Sequence, residues 1–231
     1  ILLGDGHIDI ESNKTNIALH ITDPTRKVFI NTVEKVFNYK CASREERFIE
    51  IYSKALAQAW KKIGFGGNAD TKKIPSWVYN LPRNQILSLL AGYFDSDGHV
   101  NNNSLALTSI NKELLKDVKI LAIACGFGVS RIFKHGEKGE QIILGHKCNT
   151  QDSWRLLLNG PNILELPIRH HTKKEQAKQR VNSRRNYGRA EGLNFKSKTN
   201  NEIGFATIQK ITPLGKKPTF DIEVENFHNF I

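Results

Sequence analysis

The sequence has no methionine, three cysteines and no long hydrophobic run among its 231 residues. Cys41, Cys125 and Cys148 are scattered, odd in number and without C-x-x-C spacing. This argues against a disulfide scaffold or a thiolate zinc site and favours a reducing, intracellular compartment. No segment approaches the roughly 20 apolar residues that span a bilayer, and we expect no signal peptide. Because a complete reading frame starts with methionine, we expect a segment trimmed or cut from a longer protein.

Acidic residues are also scarce, since 34 Lys and Arg stand against 23 Asp and Glu, for a formal net charge of +11. The excess is +3 over residues 1–82, +7 over 83–185 and +1 over 186–231. It is densest in 169–185, with seven basic residues and one Glu. Such a basic chain is suited to binding a polyanion such as nucleic acid. From charge alone, a solvated basic helix or linker remains an equal alternative.

The chain contains a degenerate internal repeat. ILLGDGHIDI at 1–10 corresponds to LLAGYFDSDGHV at 89–100, about 92 residues later. Each copy predicts the end of an apolar helix, then two strands and an amphipathic helix that begins near Asp23-Pro24 or Asn111. Further strands are predicted by alternation in RFIEIYS (47–53), QIILGHK (141–147) and DSWRLLL (152–158).

Asp5 and Asp97 occupy equivalent places in the two copies. Small residues nearby (Gly4 in one copy, Gly92 and Ser96 in the other) would let two helix ends pack closely and bring the carboxylates together. Since like charges repel, a bound divalent cation such as Mg²⁺ would stabilise the pair. A single Asp-Gly is more simply a turn, but its recurrence in a repeat favours a site. Asp95, by contrast, is expected to cap or pack the helix end.

These motifs resemble a known family. LAGYFDSDG (90–98) resembles the LAGLIDADG motif, and ILLGDG (1–6) resembles its divergent first copy in homing endonucleases carried inside inteins. Lys72-Lys73-Ile74-Pro75 resembles the K-x-I-P block of these enzymes. The segment 172–174 resembles the part that supplies their second active-site lysine. FDIEVENFHNFI (220–231) resembles the penultimate block of an intein splicing domain.

The resemblance implies an α+β fold in which two pseudo-twofold αββαββα halves form a DNA-binding β-saddle. The halves would span 1–82 and 83–185, and a small all-β remnant of a splicing domain would span 186–231. The implied protein is a monomer that binds a long, imperfectly palindromic double-stranded DNA site in the major groove and cuts both strands.

The resemblance also implies roles for individual residues. Asp5 and Asp97 would share Mg²⁺, for which Mn²⁺ would substitute, and the carbonyls of Gly4 and Ser96 would be further metal ligands. Lys72 would be one catalytic lysine. Lys174 would be the second, with Lys173 as the close alternative.

DNA contacts are expected from polar residues that follow each motif. They are His20, Arg44, Arg47 and Tyr52 in the first half, and Asn102, Ser104, Arg131, Lys134, His135, His146, Lys147 and Lys173 in the second.

Two other functions compete with this one. A cleavage-inactive DNA- or RNA-binding module, of the kind found in maturases and regulators, is disfavoured by the intact Asp5, Asp97 and Lys72. A splicing element is disfavoured because only Asp221 and His228 match a splicing block. We therefore expect no splicing, which recovery of ligated flanking protein would contradict.

Overall fold

A computed structural model describes residues 1–101, 104–143, 145–182, 211–213 and 215–216. The helices are α1 Arg26–Phe37, α2 Lys54–Lys62, α3 Arg83–Asp97, α4 Lys112–Ala124 and α5 His171–Asn182, with 3₁₀ helices at Ser76–Asn80 and Pro161–Glu165. The strands are β1 Gly6–Asp9, β2 Lys14–Ala18, β3 Ala42–Arg44, β4 Phe48–Tyr52, β5 Gly98–Val100, β6 Leu105–Ser109, β7 Gly128–Val129, β8 Phe133–Gly136, β9 Gly139–Ile143, β10 His146–Thr150 and β11 Ser153–Asn159.

The first half is built on an antiparallel sheet of order β1-β2-β4-β3. Ile17 and Ile49 are fully buried on one face of this sheet, where Phe29 and Ile30 of α1 pack against them. The residues next to Ile17 and Ile49 on their strands point to the other face of the sheet, since successive strand side chains alternate. Asn16 therefore lies on the opposite face, directly across from Glu50.

The second half repeats this plan around a larger core. Its antiparallel sheet has the order β5-β6-β11-β7, and β8 also pairs with β11. The inner face carries Leu107 and Leu156, against which α3 and α4 pack. Leu3 and Ile74, from the first 82 residues, are buried in this same core. The two halves are thus joined by shared apolar packing as well as by the chain.

The expected α+β class with two repeated halves is confirmed: β1–β2–α1–β3–β4–α2 in one half corresponds to β5–β6–α4–(β7, β8)–β11–α5 in the other. The strand predicted at 47–53 is β4. The single strand predicted at 141–147 is wrong: a hairpin forms instead, with β9 and β10 turning at Gly145, whose φ is +82°.

The starts of the two amphipathic helices differ. Asn111 caps α4 as predicted, because its Oδ1 accepts a hydrogen bond from the Leu114 N–H at 3.0 Å. Asp23 does not cap α1 directly, since it accepts from the amide and hydroxyl of Thr25 and the helix begins only at Arg26. Residues 2–5 form a turn rather than a helix, closed by the Gly4 N–H to the Ile1 carbonyl at 3.1 Å.

Candidate active site

Asp5 and Asp97 meet where the two halves touch. Asp97 is the last residue of α3, and Asp5 ends the turn that leads into β1. The close approach depends on Gly4. A Cβ at that position would lie 2.7 Å from the Cβ of Ser96 and 2.9 Å from the Cγ of Asp97. The small residues singled out in the repeat therefore do lie at the junction of the two motifs.

The electrostatics of the pair favour binding of a cation. Burial and, after it, repulsion from the neighbouring Asp5 carboxylate raise the pKa of Asp97 to about 6, while Lys72 opposes the shift. Burial also raises the pKa of Asp5. Two half-buried carboxylates that repel each other in this way are relieved by protonation or by a bound cation.

Two lysines approach the paired carboxylates from opposite sides. Lys72 is only 8% exposed, and its Nζ donates a hydrogen bond to the Gly4 carbonyl at 2.6 Å. Lys173, on the first turn of α5, donates to the carbonyls of Asp95 at 2.6 Å and Ser96 at 3.4 Å. Gly4 and Ser96 are equivalent in the repeat, so the two lysines occupy equivalent places. Burial lowers the pKa of both lysines.

Lys174 lies away from this cluster. It is exposed on α5, whereas Lys173 is partly buried at the end of α3. The geometry therefore favours Lys173 over Lys174 for the second lysine, and it does not support the preference for Lys174 drawn from the sequence.

Asp95 packs at the end of α3 and binds the segment before α5, in keeping with the structural role expected from the sequence. The residue is 3% exposed, and its carboxylate accepts hydrogen bonds from the amides of Arg169, at 2.9 and 3.2 Å, and His170, at 3.0 Å. These amides immediately precede α5. Asp95 thus fixes the helix that carries Lys173 to the end of α3.

The donors at the site are all oxygens, which suit a hard cation such as Mg²⁺. Within the described residues, no group of three or more His, Cys, Asp or Glu is arranged to hold a metal ion. Asp5 and Asp97 alone would leave most of the coordination shell to water and to a ligand such as phosphate. The carbonyls of Gly4 and Ser96, expected as further ligands, each accept a hydrogen bond from a lysine.

In the first half, all four predicted DNA-contact residues are exposed: His20, Arg44, Arg47 and Tyr52. Arg44 and Tyr52 lie on the outer face of the sheet, and both are held by Glu50. The Tyr52 hydroxyl donates to Glu50 at 2.5 Å, and Arg44 lies 3.5 Å from its carboxylate. Lys14 pairs with the same group at 3.5 Å. The hydrogen bond from Tyr52 is the main cause that lowers the pKa of Glu50.

In the second half the predicted contacts are divided. Ser104 is 6% exposed, and this burial does not favour the predicted contact with DNA. Asn102 lies outside the described residues. Exposed positions are Arg131, Lys134, His135 and Lys147, and the backbone of His146 lies in β10. Lys134 forms a salt bridge with Asp152 at 3.2 Å and Lys147 with Glu140 at 2.7 Å, so the positive charge of each lysine is partly neutralised by a carboxylate.

Arg155 was missed by the sequence predictions. It lies on the outer face of β11, where its Nε donates to the Thr108 hydroxyl at 3.0 Å and its guanidinium contacts His135. The alternation of polar and apolar residues in the predicted strand 152–158 was the signal that could have found it, since Leu156 and Leu158 point inward.

Comparison with known families gives a match for part of the second half. Residues 84–164 match the family model described as a LAGLIDADG-like domain. The matched range includes most of α3, with both Asp95 and Asp97, and the sheet that follows.

The relatives are diverse. The chain is 31% identical over 234 aligned residues to an iron-sulfur cluster assembly SufBD family protein of Mycobacterium leprae, an alignment that covers 99% of this chain and 27% of that protein. It is 32% identical over 122 residues to the replication factor C small subunit of Methanocaldococcus jannaschii, covering 50% of this chain and 6% of that protein. The chain thus spans about a quarter or less of the length of these relatives.

A solved structure of mesophilic variants of the homing endonuclease I-DmoI is also similar, at 14% identity with a TM-score of 0.46, covering 75% of this chain and 93% of that chain. In the described part of the chain, no helix has the length and apolar character needed to cross a membrane.

Proposed function

We propose that the chain is a metal-dependent, site-specific DNA endonuclease of the LAGLIDADG homing type. The observation that carries the proposal is the pairing of Asp5 and Asp97 across the two halves, with the buried Lys72 on one side and the partly buried Lys173 on the other. A structural pair of this kind would be unfavourable without a ligand, because burial and repulsion both oppose its ionisation.

The acids and lysines divide the chemistry. Asp5 and Asp97 would hold Mg²⁺, or Mn²⁺ in its place, through their carboxylate oxygens, next to the phosphate that is cut. When bound, the cation lowers the pKa of water and offsets the charge on the phosphate. Lys72 and Lys173 hold their ammonium groups close to the same carboxylates, where they stabilise negative charge that builds on the phosphate oxygens.

We assign the second lysine as Lys173. Its Nζ contacts the main chain next to Asp97 in the same way that Lys72 contacts the main chain next to Asp5. Lys174 is exposed one residue further along α5, where it contributes to phosphate binding.

The outer faces of the two sheets form a saddle that binds the major groove of double-stranded DNA. A ribbon of antiparallel strands fits this groove, where base edges are distinguishable. Arg44, Tyr52 and Arg155 lie on these faces and are well placed to contact bases. The net charge of +11 supplies the general attraction to phosphates. With both halves in one chain, a monomer suffices to contact both half-sites.

An origin inside an intein is supported by the pattern of relatives. Proteins with unrelated names share nearly all or half of this segment, and the shared part makes up 27% or 6% of their length. An element inserted into different host genes gives this pattern, whereas a domain essential to each host's own activity does not. Asp221 and His228, the expected splicing remnant, lie outside the described residues.

The test uses DNA of the host gene from which the whole inserted element has been removed. With Mg²⁺, the chain should cut both strands at one site, and Asp97→Asn should bind the same DNA without cutting it. Asp152→Asn, an exposed carboxylate distant in sequence from the motifs, is the matched control and should cut normally. Binding by the unaltered chain with no cleavage in Mg²⁺ or Mn²⁺ would refute the endonuclease and leave a DNA-binding module.

The assignment of the lysine is tested separately. Lys173→Met should reduce the cleavage rate strongly, whereas Lys174→Met should mainly weaken binding at moderate salt. The reverse order of rate effects would restore Lys174 as the second active-site lysine.

A further inference from the structure

The segment that carries Lys72 belongs to the first half in sequence but is held by a helix of the second half. The side-chain amide of Asn111, at the start of α4, donates a hydrogen bond to the main-chain carbonyl of Lys72 at 2.6 Å. Six residues further along α4, the Asp117 carboxylate accepts from the Ile74 N–H at 3.3 Å and from the Tyr79 hydroxyl at 2.9 Å. Helix α4 and its N-cap residue therefore hold this segment at three points, which are Lys72, Ile74 and Tyr79.

Asn111 uses both ends of its side chain. Its Oδ1 caps α4 through the Leu114 N–H, and its Nδ2 reaches Lys72, while the residue as a whole is only 6% exposed. Serine and aspartate cap helices about as well as asparagine, but neither offers the amide donor. Serine or aspartate would serve if the residue were needed only as a helix cap. The hydrogen bond from Nδ2 to the Lys72 carbonyl is the contact that needs the amide of asparagine.

The consequence is felt at the lysine head group. Lys72 is fixed by its backbone at Asn111 and by its Nζ at the Gly4 carbonyl, 2.6 Å away. Without the hydrogen bond from Asn111, the main-chain carbonyl of Lys72 loses a buried partner. The Lys72 side chain must then reach the Gly4 carbonyl from a backbone that is less firmly held. Small displacements of a group that acts on a reacting phosphate have large effects on rate.

We propose that Asn111 is a positioning residue that holds Lys72 against the Gly4 carbonyl, beside the paired Asp5 and Asp97, so that the second half of the protein sets the geometry of the first half's lysine. This inference rests on the proposed endonuclease function for its effect on cleavage. Its geometric content, that Asn111 restrains Lys72, can be tested without that function.

The variants separate the two hydrogen bonds. Asn111→Ser and Asn111→Asp keep an N-cap acceptor and remove the donor to Lys72, and Asp also turns a carboxylate oxygen toward the Lys72 carbonyl. Ser53→Ala is the matched control, because Ser53 caps α2 through the Leu56 N–H at 3.3 Å and its loss removes a cap only.

The first measurement is chemical labelling of lysines by reductive methylation, read by mass spectrometry in metal-free buffer without DNA. Lys73 is exposed and serves as the internal reference for its buried neighbour Lys72. Loss of the anchor should raise the labelling of Lys72 relative to Lys73 about tenfold in both Asn111 variants, the effect of one buried hydrogen bond. Ser53→Ala should leave the ratio unchanged. An unchanged ratio in the Asn111 variants would overturn the proposal whether or not the chain cuts DNA.

The second measurement follows each DNA strand at saturating protein. Because Lys72 and Lys173 lie at equivalent ends of the pseudo-twofold site, we expect each lysine to act on a different strand. The Asn111 variants should cut one strand about 10- to 100-fold more slowly and the other nearly normally, so that nicked DNA accumulates. Equal slowing of both strands, as expected from general destabilisation and checked with Ser53→Ala, would overturn the proposal. Absence of cutting by the unaltered chain would refute the proposed function instead, and labelling would then decide the role of Asn111.

Discussion

Replacing Asp97 by Asn should stabilise the metal-free protein while abolishing cleavage. The pKa of Asp97 is raised from 3.8 to about 6, chiefly by burial and then by Asp5. At about 1.4 kcal/mol per pKa unit, this shift corresponds to about 3 kcal/mol of unfavourable free energy for the ionised form in the folded state. Asp97 is partly exposed, and solvent screening reduces the expected gain to roughly 1–2 kcal/mol. Asparagine nearly preserves the shape and removes the charge.

The sign of the pH dependence follows from the raised pKa. Above about pH 6, Asp97 is ionised in both the folded and the unfolded state, and the folded state bears the full penalty. As the pH falls from 6 toward 3.8, the folded protein takes up the proton first and the penalty disappears. The advantage of Asp97→Asn should therefore be largest near pH 7.5 and vanish near pH 3.5, provided both proteins remain folded there.

The assay is urea denaturation in chelator at several pH values, with the unaltered chain and Asp97→Asn side by side. Asp152→Asn is the control, and its effect on stability should have the opposite sign. Hydrogen bonding by the Lys138 amide lowers the pKa of Asp152, so the folded state favours the ionised carboxylate and Asp152→Asn should not stabilise the protein at pH 7.5. Adding Mg²⁺ should stabilise the unaltered chain but not Asp97→Asn, since only the former keeps both carboxylates. A gain that is absent at pH 7.5, or equal at all pH values, would refute the reasoning that Asp97 is destabilised by its charge.

Two further substitutions test the packing around the site. Gly4→Ala should cost about 1–3 kcal/mol and reduce cleavage, because its Cβ would lie 2.7 Å from the Cβ of Ser96, and adding Ser96→Gly should recover part of the stability in urea denaturation. Arg26→Met should destabilise the first half by about 2–4 kcal/mol, because the 6%-exposed Arg26 donates to the Leu19 carbonyl and, at 3.1 Å, to the Phe48 carbonyl. Hydrogen exchange should show the loss in β2 and β4 before β6 and β11; uniform loss across both sheets would contradict it.

Much of the fold was predictable because the repeat carries its own periodicity. Strand β4 and the helices α3 and α4 follow directly from alternation and from apolar spacing. The hairpin of β9 and β10 was not predicted, because its sequence reads as one alternating strand unless the turn at Gly145 is recognised. A glycine within an alternating run is ambiguous between a bulge and a turn, and the sequence alone does not decide which.

Within the site, the acids were easier to find than the lysines. Asp5 and Asp97 are fixed by their place in the repeat, whereas Lys173 and Lys174 are adjacent and share the same local sequence. Their difference arises from the rotation of α5 about its axis, which turns Lys173 toward the end of α3 and leaves Lys174 exposed. That rotation is set by long-range hydrogen bonds from Arg169 and His170 to Asp95, which no local pattern reveals.

The different roles of Asp95 and Asp97 have a simple geometric cause. Residues two apart on an α-helix point about 200° from one another, so these two side chains face opposite sides of the end of α3. Asp97 faces Gly4 and the first half, and Asp95 faces the segment before α5. The two aspartates therefore lie in different surroundings. At the junction of the halves the pKa of Asp97 is raised, whereas the Asp95 carboxylate accepts hydrogen bonds from backbone amides. The end of α3 therefore fixes both the acid and, through α5, the lysine beside it, so a rotation of this helix end would displace both groups together.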